Sequence, residues 1–170
     1  HASSNLKFEI TNSKFTNNKA VYNEFLIYTS DVDFKNCVFE NEHTSRAIID
    51  AISLYTEEEG YRSNTVTLEN VQFKNTKYGV TEIMMRNYND VDEFKKSTLV
   101  IKDNVNGKID VWHGHTLKVD GDYDNVINVG KGTTKENVVI NPNSEFTGTI
   151  NYETDKHVVT LIVNEIEELD

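Results

Sequence analysis

Three polar residues follow an apolar pair at the same distance: Asn23 after Ala20-Val21, Asp50 after Ala47-Ile48 and Glu82 after Gly79-Val80. If the three pairs share a register, these side chains stack outward about one strand spacing (~4.8 Å) apart. Two carboxylates that close raise each other's pKa or hold a cation. Such a pair suits acid–base cleavage of a polysaccharide, with Asp50 and Glu82 as the catalytic candidates. Asp110 falls one residue out of that register, so the stack is short, and solvated outward acids are the simpler account. "DGDYD" (Asp120 to Asp124) has calcium-loop spacing, but Asn125 and Lys131 stand where an EF-hand needs Gly and Glu, which makes it a turn. In "VWHGH", His113 and His115 share a face if extended, without a third metal ligand in sight. Trp112 could stack on a sugar or cover the core edge. No Ser/His/Asp or Cys/His set, phosphate loop or Cys-x-x-Cys is present, so neither metal nor cofactor is expected.

The elements that must position these residues repeat. "FEITNSKFTNN" (Phe8 to Asn18) returns as "VDFKNCVFEN" (Val32 to Asn41) and "VTLENVQFKN" (Val66 to Asn75). Looser copies run through Leu99, Ile101, Asp103, Val105, then Leu117, Val119, Gly121, Tyr123, then Val138, Ile140, Pro142 and Phe146, with a last strand at Val159, Leu161 and Val163. Each unit reads as three short strands with alternating apolar and polar residues. About seven units of roughly two dozen residues lie in the range of a solenoid. Sharp corners between short strands need a residue in the left-handed region, which Asn enters most readily and Gly freely. Stacked units therefore place Asn12, Asn36 and Asn70 in an amide ladder, and Phe15, Phe39 and Phe73 in an aromatic column. The competing reading is an antiparallel sandwich with Asn at hairpin turns. The fixed Asn-to-Phe spacing and the scarcity of Asn-Gly and Asp-Gly pairs disfavour it.

Composition narrows the class. One domain suits 170 residues. A net charge of −11 argues against nucleic acid and against an anionic membrane surface. Cys37 is the only cysteine, so no internal disulfide forms, and it reads as a small buried hydrophobe. No apolar run is long enough to insert into a bilayer. The chain opens at His1, not at methionine, and reads as a piece of a longer protein. No Asn-x-Ser/Thr sequon occurs, which disfavours a glycosylated eukaryotic ectodomain.

"NSKFTNNKAVY" resembles the coil of right-handed parallel β-helix surface proteins, above all the polymorphic outer-membrane proteins and adhesin-like proteins of bacteria and methanogenic archaea. Phe15-Thr16-Asn17-Asn18 matches their Phe-x-x-Asn, and Ala20-Val21 and Ala47-Ile48 keep part of their Gly-Gly-Ala-Ile. Phe39-Glu40-Asn41 and Phe73-Lys74-Asn75 are one residue short. The match covers the first half of the chain, and the second half only as a strand rhythm. The resemblance implies an extracellular, cell-surface location, and the same fold also hosts pectate-lyase-like enzymes.

The expectation is thus an all-β chain, a single right-handed parallel β-helix domain of about six to seven coils over residues 1–170, with 163–170 as an acidic cap or linker. Two insertions, Tyr55 to Asn64 and Arg86 to Lys96, fall at the same step of successive coils. Tyr55, Tyr61, Arg62, Arg86, Tyr88 and Trp112 are the candidate contacts for a surface glycan or protein ligand. The expected function is a non-enzymatic adhesin-like spacer. The alternatives are a polysaccharide lyase or glycoside hydrolase using Asp50 and Glu82, and a purely structural stalk or phage fibre piece.

Overall fold

The computed structural model describes residues 6–28, 30–56, 60–77, 80–87, 97–112, 114–130, 137–141 and 143–152. Among these there are fourteen strands and no helix: β1 (Lys7–Thr11), β2 (Lys14–Thr16), β3 (Asn23–Tyr28), β4 (Asp31–Glu40), β5 (Ala47–Thr56), β6 (Gly60–Arg62), β7 (Thr65–Lys74), β8 (Thr81–Asn87), β9 (Thr98–Ile101), β10 (Ile109–Val111), β11 (Thr116–Val119), β12 (Val126–Val129), β13 (Asn137–Ile140) and β14 (Thr149–Tyr152). They form two sheets. The first runs β1-β4-β7-β9-β11-β13 with β2 also on β4, and the second runs β3-β5-β8-β10-β12-β14 with β6 on β5. The chain alternates between the sheets as it advances. Every strand pairing is parallel except the β5–β6 hairpin. An antiparallel sandwich is therefore ruled out, and the arrangement is consistent with a solenoid.

Alternation along each strand makes the core. Phe8, Val32, Val66, Leu99, Leu117 and Val138 are register mates across the first sheet. Phe25, Ile49, Ile83, Ile109, Ile127 and Ile150 are mates across the second. Apart from Phe8, which is exposed, the residues of both columns belong to one hydrophobic cluster or pack against it. Burying a side chain of this size is worth roughly 1.5–3 kcal/mol. Cys37 belongs to the same cluster, fully buried, its thiol directed at the carbonyls of Ile10 and Lys35.

The corners are asparagines. Asn12, Asn36 and Asn70 have φ of 50°, 55° and 51°. Asn36 Nδ2 donates to Asn12 Oδ1 at 3.1 Å and Asn70 Nδ2 to Asn36 Oδ1 at 2.8 Å, which is the expected ladder. A second left-handed column follows five residues later at Asn17, Asn41 and Asn75. β4 and β7 thus run through the first corner as ten-residue strands, where three separate strands per unit were expected.

Two corner assignments need correction. The fourth ladder residue is Asn104 (φ 59°), not Asp103, and its amide donates to Asn70. Leu68 to Val71 spans three positions while their mates Ile101 to Val105 span four, so one extra residue moves the corner along. Gly121 is not left-handed. It is glycine because a Cβ there would lie 2.4 Å from the backbone nitrogen of Asp103.

Asn70→Ala should cost about 2 kcal/mol of unfolding free energy in a urea titration. The left-handed geometry costs a non-glycine residue about 1–2 kcal/mol, and the exposed amide bonds on both sides are lost. Asn70→Gly keeps the corner and loses only the amide bonds, so its deficit should be about half as large.

Candidate functional site

Asp50 and Glu82 are not an outward pair. Asp50 is the register mate of Met84, and Met84 of Asp110, so Asp110 shares the column of Asp50 while Glu82 lies two positions away. The apolar pairs used to align them are not mates: Ala47 pairs with Asn23 and Thr81, and Val21 lies outside the strands, 73% exposed. The acids are not solvated either. Asp50 is fully buried, and Arg86 Nε and Nη2 both reach Asp50 Oδ2, at 3.1 and 3.0 Å. Burial pushes the Asp50 carboxyl above the usual carboxylate range, and the nearby Arg86 charge and hydrogen bonds, with smaller help from Arg46 and Asn23, offset only part of that. Glu82, 9% exposed, accepts from the Lys108 backbone N–H at 2.9 Å. Asp110 accepts from Thr81 Oγ1 at 3.0 Å and from Asn128 Nδ2 at 2.7 Å, and Asn151 Nδ2 donates to Asn128 Oδ1 at 3.0 Å. These carboxylates hold the second sheet together.

The loop candidates fare unevenly. The two insertions leave the second sheet beyond the paired positions Ser53 and Asn87, and the chain rejoins the first at the paired positions Thr65 and Thr98, the same step of successive units. The backbone of Tyr55, Tyr61 and Arg62 lies in the β5–β6 hairpin, with Tyr55 opposite Tyr61 and Leu54 opposite Arg62, and their side chains lie outside the description. Tyr88, His113, Pro142, the proposed last strand and the acidic tail are outside the described residues. Arg86 is a correction: its guanidinium is committed to Asp50 and does not present a free cation to a ligand. Trp112 is half-buried, its backbone N–H bonded to the Met85 carbonyl. His115 is fully buried and its Nδ1 accepts the Ser97 N–H at 2.9 Å, a structural role.

A cleft lies elsewhere, along the stretch that follows the ladder corner. It has a volume of about 680 Å³ and is lined by Gln72, Asp103, Asn104, Val105, Asn106, Asp122, Tyr123, Asp124, Glu145 and Thr147. Tyr123 organises it. Its ring is buried and stacked on Phe146 (6.2 Å, 13°), and its hydroxyl donates to the Gly107 carbonyl at 2.6 Å. Burial, then the Glu82 and Asp124 charges, push its phenol far above the ordinary range. With Tyr123 turned in, the flanking Asp122 and Asp124 are exposed. Asp122 Oδ1 accepts the Glu145 N–H at 2.8 Å, and Gln72 Nε2 donates to Asn104 Oδ1 at 3.0 Å. None of the described lining residues is Lys, Arg or His. Carboxylates and amides in this setting bind hydroxyl or amine donors and repel anions. "DGDYD" bends at Gly121 and then forms a parallel bridge from Tyr123 to Phe146, where a turn was expected, and it also supplies this wall. Among the described residues no group of three or more His, Cys, Asp or Glu could hold a metal ion.

No family model, no curated protein and no solved structure matches the chain. Its own geometry therefore carries the functional reading. Among the described residues no helix is long and apolar enough to cross a membrane.

One buried acid was missed in the sequence. Glu42 is 1% exposed. Its Oε1 accepts from Asn18 Nδ2 at 3.2 Å, and its Oε2 has no partner among the described residues. Partial burial, and then the Glu42 charge, raise the Glu24 carboxyl above its usual value near 4.5. A raised folded pKa means that Glu24 contributes stability below about pH 4.5, and that this is lost as pH rises through the folded value. Glu42→Gln removes the repelling charge. Thermal melts should show the variant more stable than the parent at pH 7, with the gap closing near pH 4.5 and below.

Proposed function

We propose that the chain is a right-handed parallel β-helix of about six to seven coils. In this reading it is a non-enzymatic, adhesin-like cell-surface segment: a rigid extracellular spacer that binds a surface glycan through the cleft around Tyr123. Six parallel strands along each sheet path and the asparagine ladder support the fold reading. The cleft carries the functional one. Among the described lining residues, four carboxylates and three amides without a cation fit neutral or amino-sugar glycans, whose hydroxyl and ammonium groups donate. The same lining opposes uronate polymers and sialylated glycans by charge. Neither nucleic acid nor an anionic membrane surface suits a chain of net charge −11. The lyase or hydrolase alternative is weakened because Asp50, Glu82 and Asp110 all have internal partners.

A glycan array with the intact chain tests this. Binding should appear on neutral or amino-sugar glycans and fall at least tenfold in Asp122→Asn/Asp124→Asn, with circular dichroism unchanged. Binding confined to acidic glycans, or none, would overturn it. Loss on deleting 55–64 but not in the aspartate variant would move the site to the hairpin.

A further inference from the structure

Asn106-Gly107 is the only Asn-Gly pair in the chain. It does not make the hairpin that such pairs favour, since β9 and β10 on either side of it lie in different sheets. Glycine is needed at 107 for space: a Cβ there would lie 2.7 Å from the Phe73 ring. Asn106 stands where backbone pairing gives out. Val71 and Val105 form an isolated parallel bridge, and beyond it the Asn106 side chain replaces the strand. Its Oδ1 accepts the Phe73 N–H at 2.7 Å, and its Nδ2 donates to the Phe73 carbonyl at 3.2 Å. The backbone is held as well. Asn125 Nδ2 donates to the Asn106 carbonyl, and the Tyr123 hydroxyl donates to the Gly107 carbonyl at 2.6 Å.

We propose that Asn106 is a modification site: a deamidation site that the fold holds shut and that opening of this junction releases. The Gly107 backbone nitrogen attacks Asn106 Cγ and closes a succinimide ring. The Cγ–Nδ2 bond breaks, and ammonia leaves with the proton from the Gly107 nitrogen. Water then opens the ring at either carbonyl, giving aspartate or isoaspartate. Glycine favours the attack because it has no side chain to obstruct it and turns freely. In the folded chain the Asn106 side chain must first swing off both Phe73 groups. The Gly107 nitrogen must turn toward it against the Asn125 and Tyr123 bonds. Conversion therefore proceeds through local opening. It is one-way, because the ammonia is lost. The new carboxylate has no N–H for the Phe73 carbonyl, and it joins the four carboxylates already lining the cleft. A chain that has opened here keeps a lasting mark and a weaker junction between its third and fourth units.

Peptide mapping tests this. Trypsin releases Asp103–Lys108, which carries Asn106 before glycine and Asn104 before valine as an internal control. In mildly alkaline buffer the folded chain should convert Asn106 at least about tenfold more slowly than the chain unfolded in guanidinium chloride, with Asn104 lagging in both. Tyr123→Phe keeps the ring and removes one clamp. It should speed conversion of the folded chain about fivefold, the weight of one net hydrogen bond, and leave the unfolded rate unchanged. Because that variant can loosen the core, the parent's folded-to-unfolded ratio is decisive without it. Asn106→Asp, which mimics the product, should unfold at a lower denaturant concentration than the parent. Equal rates in the folded and unfolded parent, Asn104 converting as fast as Asn106, a folded Tyr123→Phe no faster than the parent, or Asn106→Asp as stable as the parent would each overturn the proposal.

Discussion

Phe39→Ala should lower the unfolding free energy by about 3–5 kcal/mol, the range for deleting a buried aromatic. Phe39 is fully buried at the centre of the aromatic column. Its ring stacks on Phe15 at 4.9 Å and on Phe73 at 5.1 Å, nearly parallel to both, and Phe25 and Phe34 meet it at 5.9 and 6.1 Å. Truncation removes contacts on both faces, and β4 cannot collapse to fill the space because it is hydrogen-bonded to strands on either side. Phe39→Leu refills part of the volume and should cost about half as much. The check is a denaturant titration in which the midpoint falls while the slope is unchanged. A loss below about 1 kcal/mol would mean that the column is not the spine of the core.

Arg86→Ala should cost about 3 kcal/mol, at the low end of what removing one partner of a buried ion pair costs. The reason is the group left behind. Asp50 is fully buried, and Arg86 supplies its two-pronged partner. The low end applies because the stranded carboxyl escapes by taking a proton, a direction in which burial already pushes it. The sign with pH follows. A carboxyl whose folded pKa is raised gives stability below its unfolded value of about 3.8 and withdraws it as pH rises through the folded value. The Arg86→Ala deficit should therefore be largest near neutral pH and shrink toward pH 4. Asp50→Ala/Arg86→Ala should recover part of the loss, since no unpaired charge remains. Were Asp50 an exposed catalytic acid, Arg86→Ala would leave stability nearly unchanged.

The first sheet was legible because its signal is doubly fixed. Asn12, Asn36 and Asn70 each sit two residues after an inward apolar residue and three before an inward Phe. The repeat breaks at the fourth unit, where one extra residue passes the corner from Asp103 to Asn104. At the fifth unit Gly121 takes the corner slot because of crowding by Asp103, which composition alone does not reveal. The second sheet was misaligned because Ala20-Val21 and Ala47-Ile48 look alike, yet hydrogen-bonded partners there are 24 positions apart, as in the ladder. The next step fails the same way: Ile48 and Val80 look alike but lie 32 positions apart, whereas Asp50 and its mate Met84 lie 34 apart, so Asp50 and Glu82 are not brought together. The cleft was hidden for another reason. Its walls come from Gln72, the stretch around Asn104, the stretch around Tyr123 and Glu145, and only the stacking of successive units makes them neighbours. Glu42 was missed because a carboxylate on the inward side of a corner breaks the rule that inward residues are apolar.

The stacking of successive strands in parallel register is the premise beneath every site described, and a disulfide pairing experiment tests it most directly. Asp33 and Thr67 are register mates, both half-buried. Cysteines at adjacent mates stand about 4.8 Å apart, within reach of a disulfide. In a Cys37→Ala background, Asp33→Cys/Thr67→Cys should oxidise readily under native conditions, whereas Asp33→Cys/Val66→Cys should not, because Val66 faces the core. Comparable yields from both pairs, or a preference for the second, would contradict the register and with it the placement of the cleft.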